Sequence, residues 1–412
     1  MLKLESIIGY KKQVEKLKNI CDFLQNTEKY VNFGVKLPTG ALLYGQSGVG
    51  KTLMANALAE DCGRKRFYVS GEELTVKTVR KLFKTAIKSG NSVILIDDID
   101  YLDQEEDEEI YDQILKEIEH CKKNEAFVIV TADHKKYLPE FFLNAFDSDM
   151  VIRLEAPKTE EACEIFKPIF DAAKVEENFE IKDFCCFARD WTYSDAENAY
   201  HNAARFAVYE KCKKIPMRHF IKAGLLLKGN ALAEEFDAAI AYHEAGHAAV
   251  NLLLGGDAAC IVLLENGAGY FEGKDEDIKT FKDRERSYIV SVAGKACEEI
   301  FTGTSSIGSF SDLERVSKEI EADVRALASQ GFEYFDSTVL DSPAYNDSLA
   351  KKVQSDLQNY YDKAKELILE NKQLIKAFVE NLEEQHYLLH SKIYEIYHHY
   401  IALFQGTEEK AG

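Results

Sequence analysis

The sequence predicts a multi-domain protein in which an α/β part with a five-stranded parallel sheet precedes a mainly α-helical part. A chain of 412 residues is too long for one hydrophobic core, so two or three domains are expected. Short apolar segments alternate with helical ones over the first 156 residues, which favours parallel strands joined by right-handed crossovers. Helical periodicity dominates residues 158–228 and the chain from Arg284 onward. We therefore expect an α/β subdomain at 1–156, a helical lid at 157–228 and a last domain at 229–412.

The elements of the first part follow from local composition. A helix is predicted over Lys11–Gln25, and a second one over 53–60. The acidic segment 104–119 is predicted to be a helix with a solvated face. The strands are short and apolar, and they are predicted at 41–44, 66–70, 92–100, 126–131 and 150–155. Later in the chain, residues 260–271 show β-like patterning with glycines.

A glycine-rich loop follows the first predicted strand and opens into a helix. It reads Gly45-Gln46-Ser47-Gly48-Val49-Gly50-Lys51-Thr52. In a strand–loop–helix context, this G-x-x-x-x-G-K-T pattern predicts a site for nucleotide phosphates. Backbone N–H groups close around the phosphates, Lys51 reaches the β and γ oxygens, and the Thr52 hydroxyl ligates Mg²⁺. The motif therefore predicts ATP with Mg²⁺ as a ligand.

The predicted strand at 92–100 ends in carboxylates, which include Asp97 and Asp98. In phosphate-loop folds the first such carboxylate holds Mg²⁺ through water, and the next position activates the attacking water. Because the carboxyl ends of parallel strands meet at one edge of a sheet, we expect ATP to bind at that edge.

A histidine pair lies in the segment 238–254, which is rich in Ala and Leu and is predicted to be a helix ending at Gly255. The segment contains Ala241-Tyr242-His243-Glu244-Ala245-Gly246-His247-Ala248. Residues four apart share one helix face, so His243 and His247 can reach a single metal ion. Glu244 is then placed to take a proton from metal-bound water. The pattern predicts a metallopeptidase site with Glu244 as the catalytic base.

A second pair, His386 and His390, has the same spacing. It carries no adjacent glutamate and lies in a predicted helical run with Leu388, Leu389 and Ile393. We expect it to have a packing or surface role.

Composition excludes several classes of protein. The net charge of −20 argues against a nucleic-acid binder, because a polyanion would be repelled. The nine cysteines are scattered without a C-x-x-C pair, which is typical of a reducing compartment and not of a disulfide framework or a cysteine zinc site. No apolar run approaches 18 residues, and the first five residues lack the apolar core of a signal peptide. The chain is expected to be cytoplasmic, and membrane-associated only if an anchor preceded residue 1.

The phosphate-binding loop, the Asp-Asp pair, the helical lid and the downstream H-E-A-G-H together resemble the FtsH-type AAA+ zinc metalloproteases. The resemblance runs from Ile8 to the helical segment at 364–382. Its peptidase half includes the segments Ala293-Gly294-Lys295-Ala296-Cys297-Glu298-Glu299-Ile300 and Gly308-Ser309-Phe310-Ser311-Asp312-Leu313. The resemblance implies an AAA+ module followed by a mainly α-helical, zincin-like metallopeptidase domain. It also implies Zn²⁺, protein or peptide substrates and a hexameric homo-oligomer, although other ring sizes stay open.

The resemblance implies that Asp312 is the third zinc ligand beside His243 and His247. The ion then keeps a fourth position for water or substrate. The residues alone leave Glu298 and Glu299 open as rivals, because any carboxylate on a packed helix can serve. Glu298 is also a candidate for an outer hydrogen-bond partner of a ligating histidine.

The chain departs from the family in its motor half. The interval 71–80 has no aromatic residue where the family has an aromatic substrate-gripping loop. Asp98 stands where the family has Glu, and Val130-Thr131-Ala132 stands where it has Ala-Thr-Asn, which predicts the loss of a polar sensor. Residues 133–150 contain no arginine, whereas the family places arginine fingers there. The family's membrane anchor is absent from this chain.

Three functions from different classes fit these observations. The first is an ATP-dependent zinc endopeptidase that degrades soluble or partly unfolded proteins. The second is a peptidase whose weak motor binds ATP for assembly or gating and hydrolyses it slowly. The third is a non-catalytic AAA+ scaffold. The presence of His243, Glu244, His247 and Asp312 counts against the third.

Overall fold

The computed structural model describes residues 3–121, 126–171, 174–273, 280–326 and 343–408. In the first part of the chain the strands are β1 (Gly40–Tyr44), β2 (Lys65–Ser70), β3 (Ser92–Asp97), β4 (Ala126–Ala132) and β5 (Val151–Arg153). The helices of this part are α1 (Lys11–Gln25), α2 (Thr27–Asn32), α3 (Lys51–Asp61), α4 (Val76–Ser89), α5 (Glu108–His120) and α6 (Glu140–Leu143).

These strands form a parallel sheet in the order β2-β3-β4-β1-β5. Strands β3 and β4 are buried along their whole length, as expected for central strands covered on both faces. One side of the sheet packs on α4 and α5 through Phe83, Tyr111 and Ile114, all fully buried. The predicted five-stranded parallel sheet is confirmed in the described residues.

The middle of the chain is helical, as predicted. Its helices are α7 (Thr159–Asp171), α8 (Ile181–Phe187), α9 (Tyr193–Tyr209) and α10 (Met217–Leu227). In the described part of this region the β pairing is limited to an isolated bridge between Val175 and Ile215.

The last part of the chain is mainly helical around a small antiparallel sheet. Its elements are α11 (Ala238–Leu253), β6 (Ala258–Leu264), β7 (Ala268–Gly273), α12 (Phe281–Thr302), α13 (Phe310–Ala326), α14 (Pro343–Glu370), α15 (Lys372–Gln385), β8 (Tyr387–Leu389) and α16 (His390–Glu408). The sheet has the order β7-β6-β8. Helices α11, α12, α14 and α15 share one buried core, to which β6 contributes Ile261 and Leu263. This core holds α11 rigidly from several sides.

The expectation of an unbroken helical run near the C-terminus is wrong. Strand β8 separates α15 from α16, and His386, in a left-handed conformation with φ of 64°, precedes it. Because strand pairing with β6 intervenes, His386 and His390 do not share a helix face. Each Nδ1 instead bonds a backbone carbonyl, that of Ala233 at 2.6 Å and that of Ala258 at 2.9 Å.

Internal contacts divide the chain into two compact units. One comprises Met1–Ala173 with Arg189–His201, and the other comprises Lys174–Ala188 with Asn202–Gly412. The three-domain division at 156/157 and 228/229 remains a prediction. Within the described ranges, every helix is either too short or too polar to cross a bilayer.

Candidate metal centre and nucleotide site

Helix α11 presents the histidine pair from a well-anchored frame. Asp237 caps its first turn by accepting hydrogen bonds from the backbone N–H groups of Ala239 and Ile240 at 2.9 and 3.3 Å. His243 and His247 lie one turn apart in the middle of the helix, and both side chains are largely buried. The predicted helix and the shared face of the two histidines are therefore present.

Three donor atoms converge beside this face. The Nε2 atoms of His243 and His247 are 3.1 Å apart, and the Asp312 Oδ2 lies 3.2 Å from the first and 3.4 Å from the second. Asp312 comes from the first turn of α13. A tetrahedral zinc ion with bonds of about 2.0–2.1 Å holds its ligand atoms about 3.3 Å from one another. The three residues therefore fit one zinc ion and leave its fourth position open.

The outer contacts fix the orientation of these ligands. His247 Nδ1 donates a hydrogen bond to the Val290 carbonyl at 2.6 Å, which leaves the Nε2 lone pair for a metal. Arg315 Nη2 donates to the other oxygen of Asp312, Oδ1, at 3.3 Å. The Glu298 Oε2 lies 3.5 Å from His243 Nδ1. Each ligand thus has a neighbour on the side that faces away from the donor cluster.

The two rival carboxylates point elsewhere. Glu298 accepts hydrogen bonds from the backbone N–H of Ser306 at 2.6 Å and from its hydroxyl at 3.2 Å. Glu299 accepts hydrogen bonds from Lys295 and Tyr361. Among the described residues, the carboxylate that meets both histidines is that of Asp312. Glu298 sits where the outer partner of His243 was expected.

Burial and charge set the ionisation of this centre. Burial raises the pKa of Glu244 above its ordinary value, although the neighbouring histidines oppose it. Burial also disfavours the charged form of Asp312, but hydrogen bonds with both histidines outweigh it and hold the pKa of that carboxyl well below its usual range. For His243 burial acts to lower the pKa, yet the Asp312 hydrogen bond and nearby carboxylates raise it overall. A pocket that favours protonated imidazole is one that favours a cation.

Helix α12 approaches the centre closely because Gly294 has no side chain. A Cβ atom at this position would lie 2.4 Å from His247 Nε2 and 2.6 Å from His243 Nε2. Both distances are far below a van der Waals contact, and the nitrogens involved are the metal-facing ones. Gly294 therefore keeps open the space that the ion needs.

In the sequence, Gly294 stands out only as part of the family match at 293–300, and no role for it can be predicted from that match. Val290 contributes through its carbonyl, and Arg315 contacts Asp312 across one helix turn. A glycine inside a helical pattern can indicate close packing, and Gly294 is such a glycine. The backbone carbonyl of Val290 leaves no such signal.

The phosphate-binding loop connects β1 to α3 in the predicted manner. Gly45 follows β1, and a Cβ atom there would lie 1.9 Å from the Leu154 carbonyl oxygen, so only glycine fits. Val49 is buried, Ser47 is exposed, and Gln46 donates a hydrogen bond to the Asp190 carbonyl at 3.2 Å. Gly48 and Gly50 both adopt positive φ, which turns the loop into the helix N-terminus where phosphates bind.

The predicted magnesium ligands lie together at the end of β3. Thr52 Oγ1 donates to the Asp97 carboxylate at 2.9 Å, and Thr131 Oγ1 donates to it at 2.6 Å. Asp98 is exposed and has a left-handed backbone with φ of 52°. Partial desolvation, followed by the charge of Asp97, raises the pKa of Asp98 above its ordinary value. The arrangement fits Mg²⁺ held by Thr52 and Asp97 with Asp98 facing solvent.

The loss of the family's polar sensor at the end of the fourth strand remains a prediction, but a polar side chain lies directly beyond that strand. Strand β4 runs to Ala132, which pairs with Tyr44 at the end of β1. The first residue beyond the strand is therefore Asp133, whose Oδ1 lies 2.5 Å from Lys51 Nζ. The first side chain beyond β4 is therefore a carboxylate, and it contacts the lysine of the phosphate-binding loop.

Comparison with known proteins agrees with both halves. Residues 41–154 match the family model of the ATPase family associated with various cellular activities (AAA). The chain is 28% identical over 411 residues to the ATP-dependent zinc metalloprotease FtsH of Parabacteroides distasonis, covering 90% of this chain and 60% of that protein. It is 29% identical over 410 residues to ATP-dependent zinc metalloprotease FtsH 2 of Thermoanaerobacter sp., covering 92% of this chain and 80% of that protein.

A third relative, the FtsH of Leptotrichia buccalis, is 26% identical over 394 residues, which cover 87% of this chain and 51% of the relative. The chain thus spans between about half and four fifths of the length of these three relatives. The resemblance to FtsH-type AAA+ zinc metalloproteases is confirmed over most of the chain. Zinc, and ATP with Mg²⁺, are the cofactors that these relatives and the AAA module imply.

The Gly294→Ala substitution tests the role of the close helix approach. Alanine is the better helix former by about 1 kcal/mol, so a harmless change would stabilise α12. We expect instead that the added methyl group displaces the two Nε2 atoms and that zinc content after dialysis falls at least tenfold. A folded Gly294→Ala protein, judged by circular dichroism, that keeps a full equivalent of zinc would contradict this role.

The Asp312→Ala substitution tests the third ligand, with Glu299→Gln as the matched carboxylate control. Removal of one of three protein ligands should weaken zinc binding by about 100-fold or more, whereas Glu299 faces Lys295 and Tyr361 and should not affect it. Zinc affinity is measured by competition with a chromophoric chelator. Equal affinities for the two variants would contradict the assignment.

Proposed function

We propose that this chain, an AAA+ ATPase module followed by a zinc metallopeptidase domain, is an ATP-dependent endopeptidase that cleaves soluble or partly unfolded proteins. The observation that carries the proposal is the convergence of the His243, His247 and Asp312 donor atoms at 3.1–3.4 Å, with Glu244 next to the first histidine. Three ligand residues from two separate helices meet at one point, and the glutamate lies on the same helix as the two histidines. Such a site serves hydrolysis of peptide bonds.

His243, His247 and Asp312 would hold the zinc ion in this site. When bound, zinc supplies a Lewis acid that makes a coordinated water acidic near neutral pH and polarises a peptide carbonyl. Arg315 and the Val290 carbonyl keep the aspartate and the second histidine in place. The protein's part is thus to fix the ligands before substrate arrives.

Glu244 acts as the proton carrier of the reaction. Glu244 is 6% exposed, and burial raises its pKa above the ordinary value although the neighbouring histidines oppose the shift. It accepts the proton of the attacking water and passes it to the leaving amine. Because Glu244 is shielded from bulk solvent, the proton stays within the site between the two steps.

Strand β7 offers a place for the substrate backbone. It forms one edge of the sheet made by β6, β7 and β8 in the described residues, and it passes beside the catalytic base. A Cβ atom at Gly269 would lie 2.7 Å from Glu244 Cγ. An extended peptide can add to such an edge through main-chain hydrogen bonds, which would suit unfolded segments of many sequences.

A second candidate function is a peptidase in which ATP binding supports assembly or gating, while the motor translocates protein substrates weakly. Between β2 and α4 the chain makes a short 3₁₀ turn, Gly71–Glu73, and then the helix cap at Thr75. This connection contains no aromatic side chain, and residues 133–150 contain no arginine. Arginine fingers accelerate related hydrolases by 10³–10⁵, so slow ATP turnover is expected here.

We infer the assembly from the family resemblance and the partners and location from composition. We propose a homo-oligomer, hexameric by resemblance, in which ATP contributes to the contacts between subunits. The net charge of −20 supports protein rather than nucleic-acid partners. The nine cysteines are scattered without a C-x-x-C pair, which supports a reducing compartment such as the cytoplasm.

The Glu244→Gln substitution tests the peptidase assignment, with Glu314→Gln on the surface of α13 as the matched control. Loss of the base should lower the rate of casein cleavage about 100-fold or more while zinc content stays at one equivalent. The control should cleave at the parental rate, and a chelator should abolish cleavage by both active proteins. If the Glu244→Gln protein cleaved casein at the parental rate, Glu244 would not be the catalytic base. If the zinc-loaded parent protein did not cleave casein, a non-catalytic AAA+ scaffold would be favoured.

A non-hydrolysable ATP analogue tests whether cleavage requires ATP hydrolysis or only ATP binding. We expect slow ATP hydrolysis, lost in Lys51→Ala, and casein cleavage that the analogue supports as well as ATP does, because nucleotide binding alone orders the assembly. Cleavage is measured with ATP, with the analogue and without nucleotide, using one unfolded substrate. Brisk ATP hydrolysis together with cleavage that requires it would contradict the weak motor and favour a translocating protease.

A further inference from the structure

The ammonium group of Lys51 is fully engaged by protein oxygen atoms. Its Nζ lies 2.9 Å from the Gly45 carbonyl, 3.4 Å from the Gln46 carbonyl and 2.5 Å from the Asp133 Oδ1. An ammonium group has three protons to donate, and the three acceptors use all of them. The side chain of Lys51 is 5% exposed, so it cannot turn to solvent to free a donor. An arriving phosphate must therefore displace one of the acceptors.

Asp133 is the acceptor that can leave. Its backbone N–H and that of His134 both donate to the Asp100 Oδ2, at 2.9 and 3.0 Å, which fixes the main chain just beyond β4. Its side chain, by contrast, is 38% exposed and can rotate towards water. The carbonyls of Gly45 and Gln46 belong to the loop backbone, and Gly45 packs directly against the Leu154 backbone. Displacement by phosphate therefore means rotation of Asp133.

We propose that Asp133 is a specificity-determining residue that competes with the nucleotide for Lys51 and weakens the binding of ATP more than that of ADP. This inference rests on the proposed use of ATP by the same site. A carboxylate is itself an anion held by the lysine, so it substitutes for a phosphate oxygen when no nucleotide is bound. Once ATP binds, the freed carboxylate stays at the end of β4, on the side where the γ-phosphate meets Lys51.

Like charges at this end of the site explain the difference between the nucleotides. Asp97, Asp98 and Asp133 all lie at the carboxyl edge of the sheet, and Lys51 is the cation in contact with Asp133. Thr52 and Asp97, which bond each other, would hold Mg²⁺, whereas Asp133 contacts Lys51, the residue that reaches the terminal phosphate. ADP lacks that phosphate and escapes most of the repulsion. The wild-type site is thereby biased towards ADP.

The Asp133→Asn substitution tests this inference, with Asp149→Asn as the matched control. Asn keeps the size of the side chain and an oxygen acceptor for Lys51 but removes the charge. Asp149 is exposed and precedes β5, so it lies at the opposite edge of the sheet. Titration of the full-length protein with fluorescent ATP and ADP in the presence of Mg²⁺ should show that Asp133→Asn lowers the Kd for ATP about tenfold. The Kd for ADP should fall less than threefold, and the control should match the wild type for both.

Three results would overturn the inference. A wild-type protein that binds ATP as tightly as Asp133→Asn would show that Asp133 does not compete, while leaving the proposed ATP use intact. If Asp133→Asn lowered the Kd for ATP and the Kd for ADP by the same factor, Asp133 would not discriminate between the two nucleotides. Absence of ATP binding in both proteins, each with a normal thermal transition, would overturn the proposed ATP use and this inference together. Should Asp133→Asn fold poorly, Asp133→Ser provides the same comparison with a smaller neutral side chain.

Discussion

The peptidase half depends on how closely helices α11 and α12 approach each other. At Gly294 the α12 backbone comes so near the histidine pair that even one methyl group would reach both metal-facing nitrogens. This approach also brings the Val290 carbonyl to His247 Nδ1, one turn earlier on α12. A single packing constraint thus opens the space for the ion and sets the tautomer of a ligand. The buried core shared with α14 and α15 holds the two helices in this position.

The second helix of the centre, α13, is tied to α12 by a buried network. Asp323 is 4% exposed and accepts hydrogen bonds from Arg284 at 3.0 and 3.1 Å and from the Tyr288 hydroxyl at 2.5 Å. Because Asp312 lies on the same helix as Asp323, this network fixes the direction from which the third ligand arrives. Removing one partner of such a network leaves a buried polar group without its hydrogen bonds, which is costly. The centre is therefore preorganised by its surroundings.

The nucleotide half is governed by negative charge. Its phosphate-binding loop has the expected geometry, yet Asp97, Asp98 and Asp133 all lie at the carboxyl edge of the sheet, and residues 133–150 supply no arginine. Such a site can hold Mg²⁺ well and still stabilise the charge of a transferring phosphoryl group poorly. A chain that carries both a peptidase centre with a full set of ligands and a nucleotide site of this kind suits control by ATP binding.

Much of this architecture could be predicted from the sequence, because its signals are local. The loop from Gly45 to Thr52, the strands around it and the spacing of His243 and His247 follow from short patterns. Asp312 needed the family resemblance, since a ligand 65 residues beyond His247 has no spacing rule. Strand β8 was missed because three residues between helices give too short a pattern, and Asp133 was missed because the end of β4 was placed one residue early. Contacts such as those of Gly294 and Val290 arise from tertiary packing and leave little trace in the sequence.

X-ray absorption at the zinc edge of zinc-loaded Glu244→Gln protein tests the central claim most directly, since it reports the ligands rather than the activity. The account predicts two imidazole ligands and otherwise oxygen donors, with no sulfur at the distance of about 2.3 Å typical of a cysteine ligand. A sulfur contribution, or a spectrum with fewer than two imidazoles, would show that the ion binds elsewhere and would contradict the centre formed by His243, His247 and Asp312.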